Sequence, residues 1–338
     1  MKDIKKIITK FDKAKILVVG DLILDQYIYG DVDRVSPEAP VPVVWARDRK
    51  YVPGGAANVA NNIAAFGAKV SLCGVIGDKS PEIAKTLLSE LKERKIDASG
   101  IISERSRETT LKTRIIAGHQ QVVRVDWEHV HDIKQETSHK LRNYIARNLK
   151  DFDAVIIEDY GKGLLDSNLT ATIIQEANSL KKIVAVDPKE DNFDSYYKAT
   201  CITPNRKEAQ NAVRYLKMKD SSNAFKIYKE ELHTDSDIIK AGQAILDYLQ
   251  LESLLITLGE NGMWLFEKNK NKHIPTVAQQ VFDVSGAGDT VIATFTLALA
   301  CGAAKLEAAH IANFAAGIVV GKLGTAVTTR KELLERIK

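Results

Sequence analysis

Asp283-Val-Ser-Gly-Ala-Gly-Asp-Thr290 is followed at once by an apolar run, residues 291–300, that is long enough to form a buried helix. The Gly-Ala-Gly at residues 286–288 leaves backbone N–H groups unobstructed by large side chains at the start of that helix. These N–H groups lack intrahelical partners and lie at the positive end of the helix dipole, so they favour an anion such as phosphate. Asp289 in the same turn fits a group that accepts a proton from an attacking hydroxyl. The alternative is a Gly-rich turn in which Asp289 caps a structural helix.

Short β-branched runs alternate with helix-length segments along the rest of the chain. The runs that look like fully buried strands are residues 16–19, 154–157, 183–186 and 254–257. Because strands separated by helices join parallel neighbours through crossovers, this order predicts an α/β fold with a mainly parallel central sheet flanked by helices. The best-marked helix begins at Ser80, which we expect to cap it, with Pro81 in its first turn.

Two stretches, residues 27–52 and 109–127, interrupt this alternation. They are rich in Val, Thr, Arg and Gln with strand-like periodicity, and neither is followed closely by a crossover helix. We therefore expect them to pair into a small inserted β-sheet that forms a lid over the site, within a single domain of residues 1–338. Exposed strand edges of such a lid could pair with a second copy of the chain, which predicts a homodimer. The polar stretch 214–235 is expected to be a surface helix or loop.

Composition is that of an ordinary globular protein, since 45% of the 338 residues are hydrophobic and 27% are charged. The net charge of +4 is small and basic residues are interspersed with acidic ones, which argues against nucleic-acid binding. Three widely spaced cysteines in apolar surroundings suit buried thiols in a reducing cytosol. The first apolar run stops at Gly20 and Asp21, too short for a signal peptide or a membrane span, so we expect a cytoplasmic protein without a membrane partner.

Polar residues near the first strand and the next helix are candidates for binding sugar hydroxyls. Gly54 and Gly55 let a ligand approach the backbone closely, and Asn58 offers both a donor and an acceptor. A tight turn with Asn58 as a cap explains the same pattern. Asp21 and Asp25 follow the first strand, at the sheet edge where ligands of open α/β folds bind. One of them is expected to hold acceptor hydroxyls, and the other to cap a turn.

Three further segments follow predicted strands and carry polar or charged residues. Asn205 and Glu208, three positions apart at a helix start, fit Mg²⁺ bound through its water shell, or else a capping box. Lys189 fits a mobile point charge for phosphate, with a solvated lysine as the alternative. Asp159 and Lys162 come directly after another strand and are candidate ligand contacts on the same grounds.

Other nucleotide and metal motifs are not supported. Gly77-Asp-Lys-Ser80 resembles the end of a P-loop, but Asp78 stands where that motif needs glycine, and no Gly-x-Gly-x-x-Gly follows a strand. The seven histidines lack the spacing of metalloproteases and of His-x-Gly-His nucleotidyltransferases. These patterns argue against P-loop enzymes, Rossmann dehydrogenases and both histidine-dependent classes.

Three motifs taken together resemble, in order and spacing, the signatures of the PfkB/ribokinase-like carbohydrate kinases. They are Gly54-Gly-Ala-Ala-Asn58, Asn205-Arg-Lys-Glu208 and Asp283-Val-Ser-Gly-Ala-Gly-Asp-Thr290. The resemblance extends over nearly the whole chain and implies a ribokinase-like fold that uses ATP and Mg²⁺, with Asp289 as the general base. The residues that it assigns are Gly286, Ala287 and Gly288 for the anion hole, Asn205 and Glu208 for magnesium and the ATP phosphates, and Thr257, Gly259, Gly262 and Asn313 for adenine and ribose.

Five segments carry a narrower resemblance, to the kinases of D-glycero-β-D-manno-heptose 7-phosphate within that family. They are residues 19–30, 34–43, 112–114, 120–126 and 159–163. This resemblance implies phosphorylation of the anomeric 1-hydroxyl to the 1,7-bisphosphate, on the route to ADP-heptose for the lipopolysaccharide inner core. Arg114, Arg124 and Lys162 then become candidates for contacts to the 7-phosphate.

Many such relatives carry a nucleotidyltransferase domain after the kinase. Because this sequence has no His-x-Gly-His, we expect a stand-alone kinase. The rival hypotheses are another sugar or sugar-phosphate kinase of the same family, and a non-catalytic nucleotide-binding regulatory protein. A carboxylate at residue 289 beside an intact small-residue turn argues against the second rival, because a regulatory module needs no base there.

Overall fold

The computed structural model describes residues 2–118, 120–221, 224–227, 229–278 and 280–337. Its strands are β1 (Lys15–Gly20), β2 (Leu22–Val35), β3 (Pro42–Gly55), β4 (Lys69–Gly77), β5 (Asp97–Glu104), β6 (Thr110–Ala117), β7 (Gln120–Trp127), β8 (Ala154–Glu158), β9 (Ile183–Asp187), β10 (Cys201–Ile202), β11 (Ser253–Thr257), β12 (Met263–Glu267) and β13 (Lys270–Ile274). Its α-helices are α1 (Lys2–Ile8), α2 (Ala56–Ala65), α3 (Pro81–Glu93), α4 (Gln135–Asn148), α5 (Ser167–Ser179), α6 (Arg206–Lys219), α7 (Asp235–Tyr248), α8 (Ala287–Ala300), α9 (Lys305–Val319) and α10 (Arg330–Arg336).

The larger sheet contains nine of these strands in the order β13-β12-β11-β10-β9-β8-β1-β4-β5. The neighbouring pairs from β5 across to β11 are parallel, whereas β12 is antiparallel to both β11 and β13. The four predicted strand runs lie in this sheet as β1, β8, β9 and β11. The predicted α/β fold with a mainly parallel sheet is therefore confirmed.

An apolar layer covers each face of the larger sheet, because alternate residues of a strand face opposite sides. In β1, Ile16 and Val18 belong to the core that also contains α2, α3, α8 and α9. Leu17 and Val19 belong to the core that contains α4, α5, α6 and α7. The apolar run predicted as a buried helix is α8, which contacts α2, α9, β8 and β9. This packing places the N-terminus of α8 at the carboxyl ends of the strands.

The expected small sheet is present as a second sheet, with strand order β3-β2-β6-β7. We call it the small sheet. The first two strands extend beyond the predicted range 27–52, because β2 already starts at Leu22 and β3 continues to Gly55, directly before α2. The pair β2–β6 is parallel, and β2–β3 and β6–β7 are antiparallel. Its role as a lid stays a prediction.

Two local expectations differ from the structure. Ser80 precedes α3, but its side chain makes no capping hydrogen bond, although Pro81 does occupy the first turn. The stretch 214–235 completes α6 and continues as irregular chain to α7, with residues 222, 223 and 228 outside the described part. It is not all surface, because Phe225 and Leu232 are buried in the core beside α7. Two apolar side chains therefore anchor this polar segment.

The structure can be compared with two expectations from the sequence, that the cysteines are buried thiols and that no segment spans a membrane. Cys73 and Cys201 are buried free thiols, as expected, whereas Cys301 is partly exposed. Within the described ranges, no helix is both long and apolar enough to cross a membrane.

Candidate active site

Asp289 lies in the first turn of α8 and is buried, with 7% of its surface exposed. Its Oδ2 accepts a hydrogen bond from Asn58 Nδ2 at 2.5 Å, and its Oδ1 accepts one from the Tyr160 hydroxyl at 3.1 Å. Burial raises the pKa of this carboxyl above its ordinary value, while the two hydrogen bonds oppose the rise by stabilising the charged form. Asp289 is therefore a desolvated carboxylate held from two sides and suited to accepting a proton.

The Gly-Ala-Gly turn before Asp289 is shaped by one close contact. Gly286 is the N-cap residue of α8 with φ of 77°, and a Cβ there would lie 2.9 Å from Asn58 Nδ2. The Ala287 N–H donates to Val284 O at 3.2 Å, so this donor also closes the turn. Around Gly288 there is open space where a side chain would be. The turn has room for an anion, and the predicted anion-binding role of its N–H groups stays a prediction.

Three carboxylates meet at the strand ends beside α8, of which Glu158 and Asp289 are buried and Asp187 is half-buried. Glu158, Asp187 and Asp289 each place an oxygen within 4.8 Å of the others. Glu158 is fully buried, and neither of its carboxylate oxygens has a hydrogen-bond partner among the described residues. Burial, and after it the charges of neighbouring carboxylates, raise the pKa values of Glu158 and Asp187 well above their ordinary values. A bound cation would relieve this repulsion.

Asn205 and Glu208 form the capping box of α6. Asn205 Oδ1 accepts from the Glu208 N–H at 3.0 Å, and Glu208 Oε2 accepts from the Asn205 N–H at 2.8 Å. The charge of Glu208 raises the pKa of Asp187, and only burial raises it more. Glu208 therefore lies close to the carboxylate cluster. Burial raises the pKa of Glu208, and the nearby Lys189 charge partly offsets this rise. Lys189 therefore lies near the capping box of α6, and the predicted roles of Lys189, Asn205 and Glu208 toward phosphate and Mg²⁺ stay predictions.

Asp25 and Arg114 form a largely buried ion pair on neighbouring strands of the small sheet. Arg114 Nη1 lies 2.5 Å from Asp25 Oδ1, and the guanidinium lies over the Tyr27 ring at 5.3 Å from its centroid. A Cβ at Gly54 would lie 2.6 Å from Asp25 Oδ2, so glycine is needed for this approach of β3. Gly55, with φ of 56°, is the N-cap residue of α2. The predicted acceptor contacts Asp25, Gly54, Gly55 and Arg114 therefore lie on three adjacent strands, because β2 pairs with both β3 and β6.

The other two predicted phosphate contacts already have carboxylate partners. Lys162 Nζ donates to Glu128 Oε1 at 2.7 Å, and Arg124 donates two hydrogen bonds to Asp126, at 2.9 and 3.0 Å. Lys112 lies between both acids, with Nζ 3.8 Å from Asp126 Oδ2 and 4.0 Å from Glu128 Oε2. We call these five residues the charge network. The Lys162 side chain is 17% exposed and that of Arg124 is 48% exposed, so Arg124 is the more solvated cation.

Asn58 and Asp159 lie at the site and already make hydrogen bonds, although Asn58 Oδ1 has no partner among the described residues. Asn58 lies inside α2 and is fully buried, and its amide donates to Asp289. Asp159 accepts hydrogen bonds from a backbone N–H, from Asn192 Nδ2 and from the Tyr196 hydroxyl at 2.7 to 2.9 Å. These bonds fix neighbouring groups, and direct sugar contacts by Asn58 or Asp159 stay predictions.

A cavity of about 400 Å³ lies beside the start of α8. The predicted nucleotide contacts that line it are Thr257, Gly259, Gly262 and Asn313. Ala287 and Gly288 line the same cavity, so the turn before Asp289 forms part of its wall. Most of the remaining lining is aliphatic, which suits a flat, largely apolar ring. Asn313 donates to Pro275 O at 2.8 Å, so its amide also fixes the chain after β13.

The sequence model of the pfkB family carbohydrate kinases matches residues 13–332. The chain belongs to this family. Because the match begins before β1 and ends within α10, both sheets and the whole candidate site lie inside the family domain. The family resemblance read from the three sequence motifs is therefore confirmed.

Curated relatives and solved structures agree with this family membership. The chain is 44% identical over 319 residues to bifunctional protein HldE of Helicobacter pylori strain J99, and 42% identical over 323 residues to that of Wolinella succinogenes. These alignments cover 94% and 96% of the chain, which spans about 65% and 64% of the length of the two relatives. Escherichia coli phosphofructokinase-2 shares the fold with a TM-score of 0.75 at 16% identity, covering 95% of this chain and 97% of that one. Arabidopsis thaliana ribokinase, complexed with ribose and ATP, has a TM-score of 0.71 at 18% identity, covering 96% and 99%.

Several polar residues of this pfkB-family site are missing from the sequence predictions. Tyr160 contacts Asp289, Glu158 belongs to the carboxylate cluster, and Lys112 belongs to the charge network. Tyr160 and Glu158 flank the predicted Asp159 at the end of β8. Their position at a strand end could therefore have identified them as site residues on the same grounds as Asp159. Which of three consecutive residues faces the base depends on how the chain turns after the strand.

Asp21 supports this turn in the pfkB-family fold. Its Oδ2 accepts hydrogen bonds from the N–H groups of Tyr160 and Lys162, each at 3.1 Å. Burial raises the pKa of Asp21 to about 6 from its ordinary 3.8, although both hydrogen bonds oppose the rise. Of the two carboxylates after β1, Asp21 therefore caps a turn, and Asp25 is the one paired with Arg114.

The raised pKa of Asp21 predicts a pH-dependent stability. The folded state binds this proton more tightly than the unfolded state, so the stability that the protonated group contributes is present below pH 4 and is lost as pH rises through about 6. Asp21→Asn keeps an oxygen acceptor and removes the ionisation. We expect the free energy of unfolding at pH 7.5 to rise by up to about 3 kcal/mol.

Urea unfolding at pH 5 and pH 7.5 measures this effect. Asp31 is an exposed aspartate of the small sheet that pairs with Arg47. The matched control is Asp31→Asn, which should leave the pH dependence of stability unchanged. If the Asp21→Asn protein lost as much stability between pH 5 and pH 7.5 as the unsubstituted protein does, the pH dependence would belong to other groups.

Proposed function

We propose that the chain transfers the γ-phosphate of ATP to the anomeric 1-hydroxyl of D-glycero-β-D-manno-heptose 7-phosphate. The product would be the 1,7-bisphosphate, an intermediate on the route to ADP-heptose. The observation that carries the proposal is the position of Asp289, a buried carboxylate at the start of α8. The preceding Ala287 and Gly288 line the 400 Å³ cavity, and the charge of Asp25 acts on Asp289. Nucleotide and acceptor would thus meet at one carboxylate.

ATP fits the residues that line the cavity. Its apolar lining would take the base, while the open space over Gly288 and the N-terminus of α8 would take the phosphates. Lys189 would add a point charge near Glu208. The nucleotide contacts assigned from the sequence line this cavity, which supports the donor half of the proposal.

Mg²⁺ fits the carboxylates gathered at the strand ends and the start of α6. Burial raises the pKa values of Asp187 and Glu208, and the charges of Glu208 and Asp289 raise that of Asp187 further, a repulsion that a divalent cation would relieve. Asp187 and Glu208 would hold the ion with Asn205, in part through water. Bound there, Mg²⁺ would neutralise charge that develops on the phosphate oxygens during transfer.

In this mechanism Asp289 accepts the proton of the sugar 1-hydroxyl while that hydroxyl oxygen attacks the γ-phosphorus in line. The bond from the γ-phosphorus to the bridging oxygen of ATP breaks at the same time, and ADP leaves. The hydrogen bonds from Asn58 and Tyr160 favour the ionised form of the carboxylate, against the effect of burial, which raises its pKa. An anomeric hydroxyl is more acidic than an ordinary alcohol, so a carboxylate suffices as the base. The N–H groups at the start of α8 would stabilise the charge on the transferring phosphoryl group, and most of the acceleration comes from alignment and electrostatics.

The acceptor's 7-phosphate would be held by cations of the small sheet and the adjoining loop. Arg114 and Lys162 are largely buried cations, which makes them stronger candidates than the more solvated Arg124. Each has a carboxylate partner, so phosphate binding requires these ion pairs to rearrange or to be shared. Lys112, which lies near two acids at 3.8 and 4.0 Å, adds a further cation to the same network.

A kinase of an uncharged sugar is the second candidate. The observation that favours it is the pairing of Arg114, Arg124 and Lys162 with carboxylates, which leaves none of the three as an unpaired cation. An acceptor without a phosphate would then bind through hydroxyl contacts to Asp25 and its neighbours.

A coupled assay of ADP formation with a panel of acceptors tests the proposal. We expect kcat/KM with D-glycero-β-D-manno-heptose 7-phosphate to exceed that with ribose or the unphosphorylated heptose by at least about 10²-fold, because a lost charged contact costs about 3 kcal/mol. Fructose 1-phosphate tests whether another sugar phosphate is accepted. Omitting the acceptor measures the background ATPase. Equal turnover of phosphorylated and unphosphorylated heptose would favour the second candidate, and no turnover above background with any acceptor would contradict both.

A homodimer formed through the small sheet also stays a proposal. Trp45 and Trp127 on this sheet are each 57% exposed, and several valines near them are exposed as well. Large exposed apolar side chains on a sheet face are typical of interaction surfaces, which supports the pairing of two copies. The mass measured by light scattering decides between monomer and dimer.

A further inference from the structure

Tyr160 lies immediately beyond β8, in the turn held by Asp21. Its backbone N–H donates to Asp21 Oδ2 and its hydroxyl donates to Asp289 Oδ1, each at 3.1 Å. One residue thus links the turn after β8 with the first turn of α8, which is 129 positions away in sequence. The phenol is a neutral donor, because burial and the nearby Asp289 charge raise the pKa of Tyr160 well above its ordinary value.

Asp289 receives one donor on each carboxylate oxygen. Asn58, on α2, donates to Oδ2 from one side, and Tyr160 donates to Oδ1 from another. Two donors from separate elements restrict rotation of the carboxylate about its last bond. Each oxygen keeps a second lone pair for a substrate proton. The orientation of the base is therefore set jointly by α2 and by the turn after β8.

We propose that Tyr160 is a positioning residue that fixes the orientation of the Asp289 carboxylate for proton transfer. This inference rests on the proposed role of Asp289 as the base. Tyr160 would act through Asp289 and form no bond to the transferred group. Loss of its hydroxyl would leave the nucleotide cavity unchanged and would lower the fraction of bound substrate that meets a correctly oriented carboxylate.

Tyr160→Phe removes the hydroxyl and keeps the ring. We expect kcat to fall on the order of tenfold, a part of the 10²–10⁴-fold that a general base supplies, with the KM for ATP unchanged within about twofold. Tyr215→Phe is the matched control, because the Tyr215 hydroxyl also donates to a carboxylate, Asp194 Oδ1 at 2.7 Å, but on α6 outside the site. Its kcat should match that of the unsubstituted protein.

A double-substitution cycle separates positioning of the base from a general structural role. If Tyr160 acts through Asp289, Tyr160→Phe lowers kcat in the unsubstituted protein but not the residual kcat of Asp289→Asn. An equal loss in both backgrounds would overturn the inference, and so would a kcat of Tyr160→Phe equal to that of the unsubstituted protein. Full activity of Asp289→Asn alone would instead contradict the proposed function, so the two failures are distinguishable.

Discussion

Replacing Asp289 by Asn is expected to lower kcat about 10²–10⁴-fold with little change in ATP affinity. The substitution removes the proton acceptor but keeps an oxygen that can still accept from Asn58 or Tyr160. The nucleotide cavity is lined by Ala287 and Gly288 and does not include Asp289, so nucleotide binding should persist. Steady-state kinetics with the heptose phosphate measures kcat, and equilibrium titration with ATP measures the affinity.

Asp97→Asn is a suitable control for this substitution. Asp97 is another hydrogen-bonded carboxylate of the larger sheet, bound by Ser71 and Ser99 at the first residue of β5, which is the opposite end from the site. Its kcat should stay within about twofold of the unsubstituted value, as for a surface substitution away from the chemistry. An Asp289→Asn protein that turns over within a factor of a few of the unsubstituted one would remove Asp289 from its role as base.

Replacing Arg114 by Ala is expected to lower kcat/KM for the acceptor about 10²–10³-fold, with the KM for ATP little changed. The substitution removes a cation proposed for the 7-phosphate and leaves Asp25, its partner at 2.5 Å, as a buried charge without that cation. Truncating one member of a buried charge pair costs about 2–5 kcal/mol, or about 30- to 5,000-fold, and the expected loss lies within that interval. Kinetics at varied acceptor and at varied ATP separate the two effects.

Arg124→Ala provides the graded comparison, since Arg124 stands opposite Arg114 in the register of β6 and β7. Because its side chain is 48% exposed and its partner Asp126 is partly solvated, we expect a loss of less than about tenfold. Arg114→Lys should recover part of the activity, although a lysine cannot reproduce the guanidinium geometry. If Arg114→Ala and Arg124→Ala reduced kcat/KM equally, the ranking by burial would be wrong.

Local periodicity was enough to predict much of the fold. Buried runs such as residues 154–157 and 183–186 are β8 and β9, because a strand covered on both faces must be apolar at successive positions. The alternation of residues 27–52 and 109–127 marked the small sheet, since consecutive strands without a crossover helix pair antiparallel, as β2–β3 and β6–β7 do. Capping was less predictable, as Ser80 shows, because the cap hydrogen bond depends on the dihedral angles of one residue.

The candidate site was predictable to the extent that strand ends and helix starts identify it. Asp25, Lys189, Glu208 and Asp289 were all selected because each lies at or near the end of a strand or the start of a helix. Their predicted roles stay proposals, but the structure does bring Asp25, Glu208 and Lys189 close to the carboxylates at the strand ends. The Gly-Ala-Gly turn was identified because only small residues leave an unobstructed helix N-terminus.

The sequence by itself determined the order of strands and helices, the apolar run that buries α8 and the small-residue turn that precedes Asp289. These features depend on neighbouring residues, and their periodicity and spacing are visible in the chain. Only the tertiary structure decided which distant side chains meet, such as Asn58 and Tyr160 on the two oxygens of Asp289, or Arg114 on Asp25. The reason is that hydrogen bonds and ion pairs act over a few ångströms, whereas these partners are separated by 231, 129 and 89 positions in the chain.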